Sequence, residues 1–184
     1  SSVKHSSVFA SFTLLSKSDF PKELNIKLPF SLVNNNVYKN ELEVMPAYWW
    51  MYNMFAIARN TSKSQKRDTR VIKAQNIEFD TFAPDTMEEA IEARKLLEGW
   101  TGKAYLLSKN EYNPDIDFKE LRKIGKNLLD NDKDACEKLE VFGEGLENSR
   151  RKVRILKHYK AYHAYGDMIV YYASRNILKY MEWH

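Results

Sequence analysis

Short apolar runs alternate with polar or proline-containing turns along the first 45 residues. The runs cover residues 8–15, 24–28 and 30–33. Runs of this length between turn residues are typical of short strands. Pro21 and Pro29 cannot donate a ladder hydrogen bond, so we expect them at strand ends or edges. The asparagines at 34–36 predict a turn, with a ligand-binding loop as the alternative, because asparagine tolerates left-handed backbone conformations.

Aromatic and methionine side chains dominate residues 45–60. Apolar residues lie on every side there rather than in one stripe, and Pro46 suits a first helical position, which predicts a helix buried all round. The segment is too short to span a bilayer. We therefore expect a central core helix, in which Phe55→Ala would cost about 3 to 5 kcal/mol through lost burial and cavity formation.

Helical signals govern most of the later chain. Thr86 and Glu89 form a Ser/Thr-x-x-Glu pattern that predicts a helix start, and Gly99 predicts its end. Asp117 predicts the start of a further helix. The apolar stripe of that helix comprises Phe118, Leu121, Ile124 and Leu128.

The last third of the chain predicts a short helix over residues 134–142 and one long helix from Leu146 to about Met181. Residues 71–82 are predicted to be extended. With strands first and helices afterwards, the order of elements predicts an α+β fold. We expect a β-rich segment over residues 1–45 and a mainly helical cap over residues 46–184, in one compact unit.

Composition fits one globular domain. The chain has 184 residues, of which 43% are hydrophobic, and it contains 29 Lys and Arg and 25 Asp and Glu. The resulting formal charge of +4 does not demand a polyanionic partner. Cys136 is the one cysteine, which indicates a reducing, cytoplasmic compartment. Because the chain opens on Ser1 in a strand-like run, we expect a fragment of a longer protein.

Several common chemistries lack their motifs. All six glycines lie at or after Gly99, and none forms a Walker loop or a dinucleotide fingerprint. The four histidines are not spaced with cysteines or carboxylates as metal ligands are. No Gly-x-Ser-x-Gly sequence occurs. We therefore expect no metal and no cofactor.

Residues 59–70 carry the strongest local excess of positive charge. One interpretation is a solvated connector. The other is an anion site, since arginine forks bind phosphate or carboxylate in two contacts. The basic residues of that site would be Arg59, Lys66, Arg67 and Arg70.

Four segments together resemble the C-terminal portion of an uncharacterised bacterial family. They are residues 9–15, 28–33, 45–54 and 145–153. In longer members of that family a left-handed parallel β-helix of the hexapeptide-repeat kind precedes this region. The resemblance covers nearly the whole chain and implies that residues 1–45 are the last coils of a β-helix, followed by a helical cap. Related β-helices occur in sugar nucleotidyltransferases and acyltransferases, although fold alone does not deliver function. Too few coils are present here to show a repeat, so any catalytic half would lie upstream.

The first functional hypothesis is a cap that binds an anionic sugar phosphate or nucleotide sugar. Trp49 and Trp50 offer planar faces for a sugar ring, and Arg150 adds charge to the basic residues of the connector. An acyltransferase would need a histidine base near the coils. His5 is the one candidate, and a lone histidine is more often an ordinary surface or core residue.

Two other functions compete with ligand binding. The second is a purely structural module that closes the β-helix and joins subunits into a homo-oligomer. The third is nucleic-acid binding, through the bases and tyrosines of residues 157–165. On a helix, Tyr159 and Tyr162 would share one inward face, which favours a core stripe flanked by solvated bases. We expect neither a membrane nor a nucleic-acid partner.

Overall fold

The structure, a computed structural model, describes residues 2–67, 69 and 80–182. Seven strands come first: β1 Ser2–Val3, β2 Val8–Phe9, β3 Leu14–Leu15, β4 Asp19–Phe20, β5 Asn25–Ile26, β6 Leu32–Asn36 and β7 Glu41–Met45. Helices and two further strands follow: α1 Tyr48–Tyr52, α2 Met54–Arg67, α3 Pro84–Ser108, α4 Phe118–Asn131, α5 Lys133–Lys138, β8 Val141–Phe142, β9 Val153–Ile155 and α6 His158–Glu182. The predicted α+β class, with strands first and a long final helix, is confirmed.

Strands β1 to β6 form two successive turns of chain that lie in parallel register. Strand β1 pairs with β4, β2 with β5, and β3 with β6, all parallel. Each strand therefore lies beside one that comes 17 or 18 residues later, as in the pair of Val8 with Asn25. We call β1 to β3 the first turn and β4 to β6 the second turn.

Apolar residues follow this register in three columns. The paired residues are Val3 with Phe20, Phe9 with Ile26, and Leu15 with Val33. The second-turn member of each pair is buried, whereas the first-turn members are half-buried or exposed. The two turns thus bury one side of the apolar stack and leave the other open.

The chain reverses after β6, so that β7 pairs antiparallel with it. The turn predicted at residues 34–36 is wrong, because these asparagines belong to β6 and the chain turns at residues 37–40. Asn40, with φ of 51°, takes the left-handed conformation there. The Asn34 and Asn36 side chains instead donate to Glu43 across the strand pair, which stabilises the register.

Strands from late in the chain complete this sheet. Strand β9 pairs parallel with β7, and β8 pairs antiparallel with β9, which gives the order β3-β6-β7-β9-β8. The single helix predicted from Leu146 is therefore wrong over its first part, and α6 begins only at His158. Pairing with β7 overrides the local helical pattern around Val153. Beyond that point the prediction is confirmed, with Tyr162 and Tyr165 fully buried.

Helices α3 and α4 pack more closely than the sequence indicated. Gly99 does not end α3, which continues to Ser108. A Cβ atom on Gly102 would lie 2.0 Å from the carbonyl oxygen of Leu121, and one on Gly125 would lie 1.8 Å from that of Glu98. Gly102 and Gly125 are therefore the positions at which the two helix backbones touch, where a larger residue would not fit.

Two other helix ends differ from the predictions. Helix α3 begins at Pro84, and Thr86 is the third residue of its first turn, where its hydroxyl accepts the Ala83 N–H at 3.0 Å. Helix α5 ends at Lys138, so the helix predicted over 134–142 is too long. The start predicted at Asp117 is confirmed, since Asp117 is the N-cap residue of α4. The extended segment predicted before Phe82 lies largely outside the described residues.

The aromatic segment is not one helix buried all round, so that prediction is wrong. It breaks at Asn53, where φ is −150°, and none of the residues of α1 is fully buried. Helix α2 buries Ala56 and Ile57, whereas Phe55 is 77% exposed. With one face buried and the other in solvent, α2 is amphipathic, and the Phe55 side chain lies on its solvent face.

Candidate functional site

One edge of the second turn is covered along all three of its strands. Strand β7 covers β6. Beside β5, the Asn25 N–H donates to the carbonyl of Leu146 at 2.9 Å. Beside β4, the Asn35 side-chain amide donates to the carbonyl of Asp19 at 2.7 Å. The end of the parallel stack is therefore closed by the hairpin and by residues 146–148.

A buried ion pair holds this covering segment in place. The Arg151 guanidinium donates to the Glu147 carboxylate at 2.7 Å and to the Asn35 side-chain oxygen at 2.7 Å. Ser149 donates to the same carboxylate at 2.6 Å. Burial raises the pKa of Glu147, but the hydrogen bonds from Arg151 and Ser149 outweigh it, so that the net pKa lies below its usual value. Glu147 is thus an ionised, fully paired group with a structural role.

At the opposite edge of the stack, apolar side chains are exposed and no strand of the described residues continues the pairing. Val8 is 62% exposed and Phe9 is 36% exposed, and Val3 and Phe12 are exposed beside them. The Val8 and Ala10 N–H groups donate to carbonyls of the second turn, and no described strand pairs with β1, β2 or β3 on their other side. An open strand edge with exposed apolar side chains is a surface that proteins normally cover.

A cleft of about 560 Å³ lies at the start of α6. Its wall includes Lys157, His158 and Lys160, with Glu137 and Glu140 opposite. Tyr159 and Lys160 also border a neighbouring cleft of about 450 Å³. Titratable side chains therefore concentrate around the first turn of α6.

A third cleft, of about 460 Å³, separates the first and second turns from α3. Asp85, Glu88 and Glu92 line it, together with Glu89. The Glu89 carboxylate accepts the Ser11 N–H at 2.8 Å, which fixes α3 against the first turn. Acidic side chains with this structural contact do not by themselves define a ligand site.

The predicted basic site is only partly described. Arg59 and Arg67 are exposed on α2. The Lys66 side chain and the whole of Arg70 lie outside the described residues. Arg150 is exposed in the turn before β9, on a separate element. The convergence of these residues on one anion stays a prediction.

The two tryptophans have structural contacts. The Trp49 indole N–H donates to the carbonyl of Phe12 at 2.9 Å. The Trp50 ring meets the rings of Phe82 and Tyr171 at 5.7 and 6.0 Å between centroids, and it also borders the 450 Å³ cleft. His5 is exposed in the turn between β1 and β2, and its catalytic role is untested.

Sequence reasoning missed the start of α6 as a site. Residues 157–160 were expected inside a continuous helix, where their backbone N–H groups would be occupied. No Ser, Thr, Asp or Asn cap marks the true start. The signal that could have revealed it is the β-branched residues Val153 and Ile155, which favour a strand immediately before Lys157.

The chain is 38% identical over 184 residues to an uncharacterised protein of Treponema pallidum (strain Nichols), a match that covers 99% of this chain and 24% of that protein. The chain thus spans about a quarter of the length of this relative. No family model and no solved structure matches. In the described part of the chain, no helix combines the length and apolarity needed to cross a bilayer.

Proposed function

We propose that this chain closes one end of a longer parallel β-helix. The observation that carries the proposal is the difference between the two edges of the stack. Hydrogen bonds cover the edge beyond the second turn, whereas the first turn exposes apolar side chains and has no further strand partner among the described residues. The constant spacing of 17 or 18 residues between paired strands supports a solenoid, in which each turn buries its apolar face only against a neighbour.

The greater length of the Treponema relative also supports the proposal, because its remaining three quarters leave room for further coils. A left-handed coil and a link to sugar-phosphate or nucleotide-sugar chemistry are parts of the proposal that rest on the family resemblance. In this proposal the present chain is not catalytic by itself. A cytoplasmic setting fits the single thiol of Cys136, which is buried, with its pKa raised to about 11 by burial.

A tandem duplication of residues 2–18, placed before Ser2, tests the capping role. The copied strands would pair with β1 to β3 at the native spacing and cover Val3, Phe9 and Leu15. We expect a single, more stable unfolding transition, with a gain of about 1 to 3 kcal/mol from the added burial.

The matched control is the same duplication with lysine in the copies of Val3, Phe9 and Leu15. This control should unfold at the temperature of the parent chain. Amide exchange should also slow at Phe9 and Leu15 in the apolar duplication alone. If both duplications unfold as the parent does, the first turn is a natural chain end and the capping proposal fails.

Ligand binding by the basic connector is the second part of the proposal. An anionic sugar phosphate or nucleotide sugar would be held by the arginine forks of Arg59, Arg67 and Arg70. Calorimetry with a panel of such compounds compares the parent chain with the double variant R67Q/R70Q. Weaker binding by the variant, with unfolding free energy unchanged to within about 0.5 kcal/mol, is the expected result. Equal binding by the two proteins would reject the connector site.

A homo-oligomeric module is a second candidate function, favoured by the distal half of α6. Val170, Ile177 and Met181 are exposed there at helical spacing, and Leu178 and Tyr180 are exposed beside them. A second copy of the chain would cover such a stripe. Sedimentation of I177K/M181K should then show a smaller species than the parent chain, and an unchanged mass would contradict this role.

A further inference from the structure

The cleft at the start of α6 has features of a ligand site that no part of the capping role uses. It lies between α6 on one side and the segment from α5 to β8 on the other. Its volume of about 560 Å³ is enough for a small organic ligand. None of the residues in its wall pairs with the first turn, so the cleft is independent of the open edge of the stack.

The backbone at the start of α6 presents free donors. The first intrahelical hydrogen bond runs from the Ala161 N–H to the carbonyl of Lys157 at 2.9 Å. The N–H groups of His158, Tyr159 and Lys160 meet no acceptor among the described residues. Lys157 precedes them with φ of 56° and has no side-chain acceptor to offer as a cap. Unpaired N–H groups at the start of a 25-residue helix attract negative charge.

Two lysines line the same cleft. Lys157 and Lys160 are exposed in the cleft wall, and within the described chain no carboxylate pairs with either. Arg154 is different, because Glu41 and Glu140 hold its guanidinium at 3.0 and 2.5 Å. The two carboxylates more than neutralise it, and the group of three carries a net charge of −1.

Glu137 is a second opposing charge. It is exposed in the same wall and has no cation partner in the described part of the chain. Together with the excess carboxylate on Arg154 it balances the two lysine charges, so the free N–H groups and the helix dipole decide the preference. The cleft therefore favours an anion of modest size over a cation.

His158 supplies a second, independent observation. Its side chain is in the cleft wall and only 5% exposed, and its Nε2 has no hydrogen-bond partner among the described residues. The other ring nitrogen donates to the backbone of Cys136, so Nε2 of the neutral ring is an acceptor. An unpaired buried acceptor is costly, and a ligand that carries an O–H group would satisfy it.

We propose that this cleft binds a phosphate-type oxyanion that also carries a donor O–H. The N–H groups of His158, Tyr159 and Lys160 and the ammonium groups of Lys157 and Lys160 face the anionic oxygens. A protonated oxygen donates to His158. Inorganic hydrogenphosphate and the phosphomonoester of a hydroxylated compound share this chemistry. The site is distinct from the connector with Arg59 and Arg67, and its test is independent of the capping proposal.

Amide NMR with sodium phosphate at constant ionic strength tests the site. The N–H signals of His158, Tyr159 and Lys160 should shift and saturate. Affinity should fall at least tenfold in K157Q/K160Q, because both ammonium contacts are lost. The matched control is K119Q/K126Q, which removes two exposed lysines of α4 and should retain affinity to within twofold. E137Q should strengthen binding, because it removes an opposing charge.

A second comparison tests the acceptor on His158. Sulfate has the shape of phosphate but carries no O–H near neutral pH, so the parent chain should bind phosphate more tightly than sulfate. In H158F this preference should disappear, and H158L, which also lacks an acceptor, serves if the phenylalanine variant fails to fold. Ribose 5-phosphate distinguishes the two candidate ligands. If it binds more tightly than inorganic phosphate, the ligand is a phosphomonoester, and if it binds more weakly, the ligand is free phosphate.

Three results would overturn the proposal. One is the absence of a saturable shift at residues 158–160. Another is an equal loss of affinity in the two double-lysine variants, which would show a general ionic effect. The third is equal binding of sulfate and phosphate by the parent chain, which would remove His158 from the site.

Discussion

The hydroxyl of Tyr165 donates a hydrogen bond of 2.6 Å to the carbonyl of Pro29, 136 residues earlier in the chain. The same oxygen accepts the Ala47 N–H at 3.2 Å. Tyr165 is fully buried, and burial raises the pKa of its hydroxyl well above the usual value. One side chain of α6 thereby joins the final helix to the second turn and to the start of α1.

Replacement of Tyr165 by phenylalanine should destabilise the protein by about 1 to 3 kcal/mol, because the Pro29 carbonyl and the Ala47 N–H lose a partner in the core. Tyr171→Phe is the matched control. Tyr171 lies on the same helix, is 48% exposed, and makes its described contacts through its ring. Urea unfolding should show a loss for the first variant and a change within about 0.5 kcal/mol for the second. Equal losses would mean that the hydroxyl of Tyr165 has no special role.

The close contact of α3 with α4 predicts that alanine destabilises the protein at Gly102 and Gly125 but stabilises it at Gly166. Gly102→Ala and Gly125→Ala would place a Cβ within 2.0 Å of backbone oxygen, so the helices would have to separate. We expect a loss of at least about 3 kcal/mol for each variant. In Gly166→Ala the nearest atom belongs to Arg94 at 3.6 Å, an ordinary contact. That variant should gain about 0.5 to 1 kcal/mol from helix propensity. Thermal unfolding distinguishes the three, and a stable Gly125→Ala variant would contradict the packing described here.

Opposite faces of α2 predict a contrast between Phe55 and Ile57. Because Phe55 is 77% exposed, Phe55→Ala should change the unfolding free energy by no more than about 0.5 kcal/mol. Ile57 is 6% exposed, so Ile57→Ala should cost about 2 to 4 kcal/mol. Chemical denaturation of the two variants provides the measurement. A larger loss for Phe55→Ala than for Ile57→Ala would support the original expectation of a helix buried all round.

His158 predicts a dependence of stability on pH. Burial lowers the pKa of His158 to about 4, below the ordinary value of 6.5. The unfolded chain therefore binds the proton more readily than the folded chain between these values, and stability falls as the pH drops from about 6.5 towards 4. The loss between pH 7.5 and pH 5 should be about 2 kcal/mol.

His158→Gln serves as the control for this pH dependence, because glutamine does not titrate. Its unfolding free energy should change much less between pH 7.5 and pH 5. Carboxylates with a lowered pKa, such as Glu147, lose their contribution only at lower pH. The same slope in both proteins would show that another group is responsible.

Local sequence determined the kinds of element and much of their order. Proline and polar turns between short apolar runs marked a strand-rich start, and the stripe that includes Leu121 and Leu128 marked α4. The sequence also predicted that Tyr159 and Tyr162 share an inward face. The structure confirms this, because Tyr162 is buried and Tyr159 packs against the core. These features depend on residues a few positions apart. They can be predicted because strands and helices each repeat with a characteristic period along the sequence.

Tertiary structure decided the features that depend on distant partners. Val153 became a strand residue because β7 offers it a ladder, and that pairing set the start of α6 at His158. Gly102 lies inside a helix because a second backbone approaches it. The α6 cleft could not be predicted for the same reason: its lysines were visible in the sequence, but the free N–H groups beside them exist only because the preceding residues joined a sheet. Contacts across more than a hundred residues leave no periodic signal, so only the folded chain reveals them.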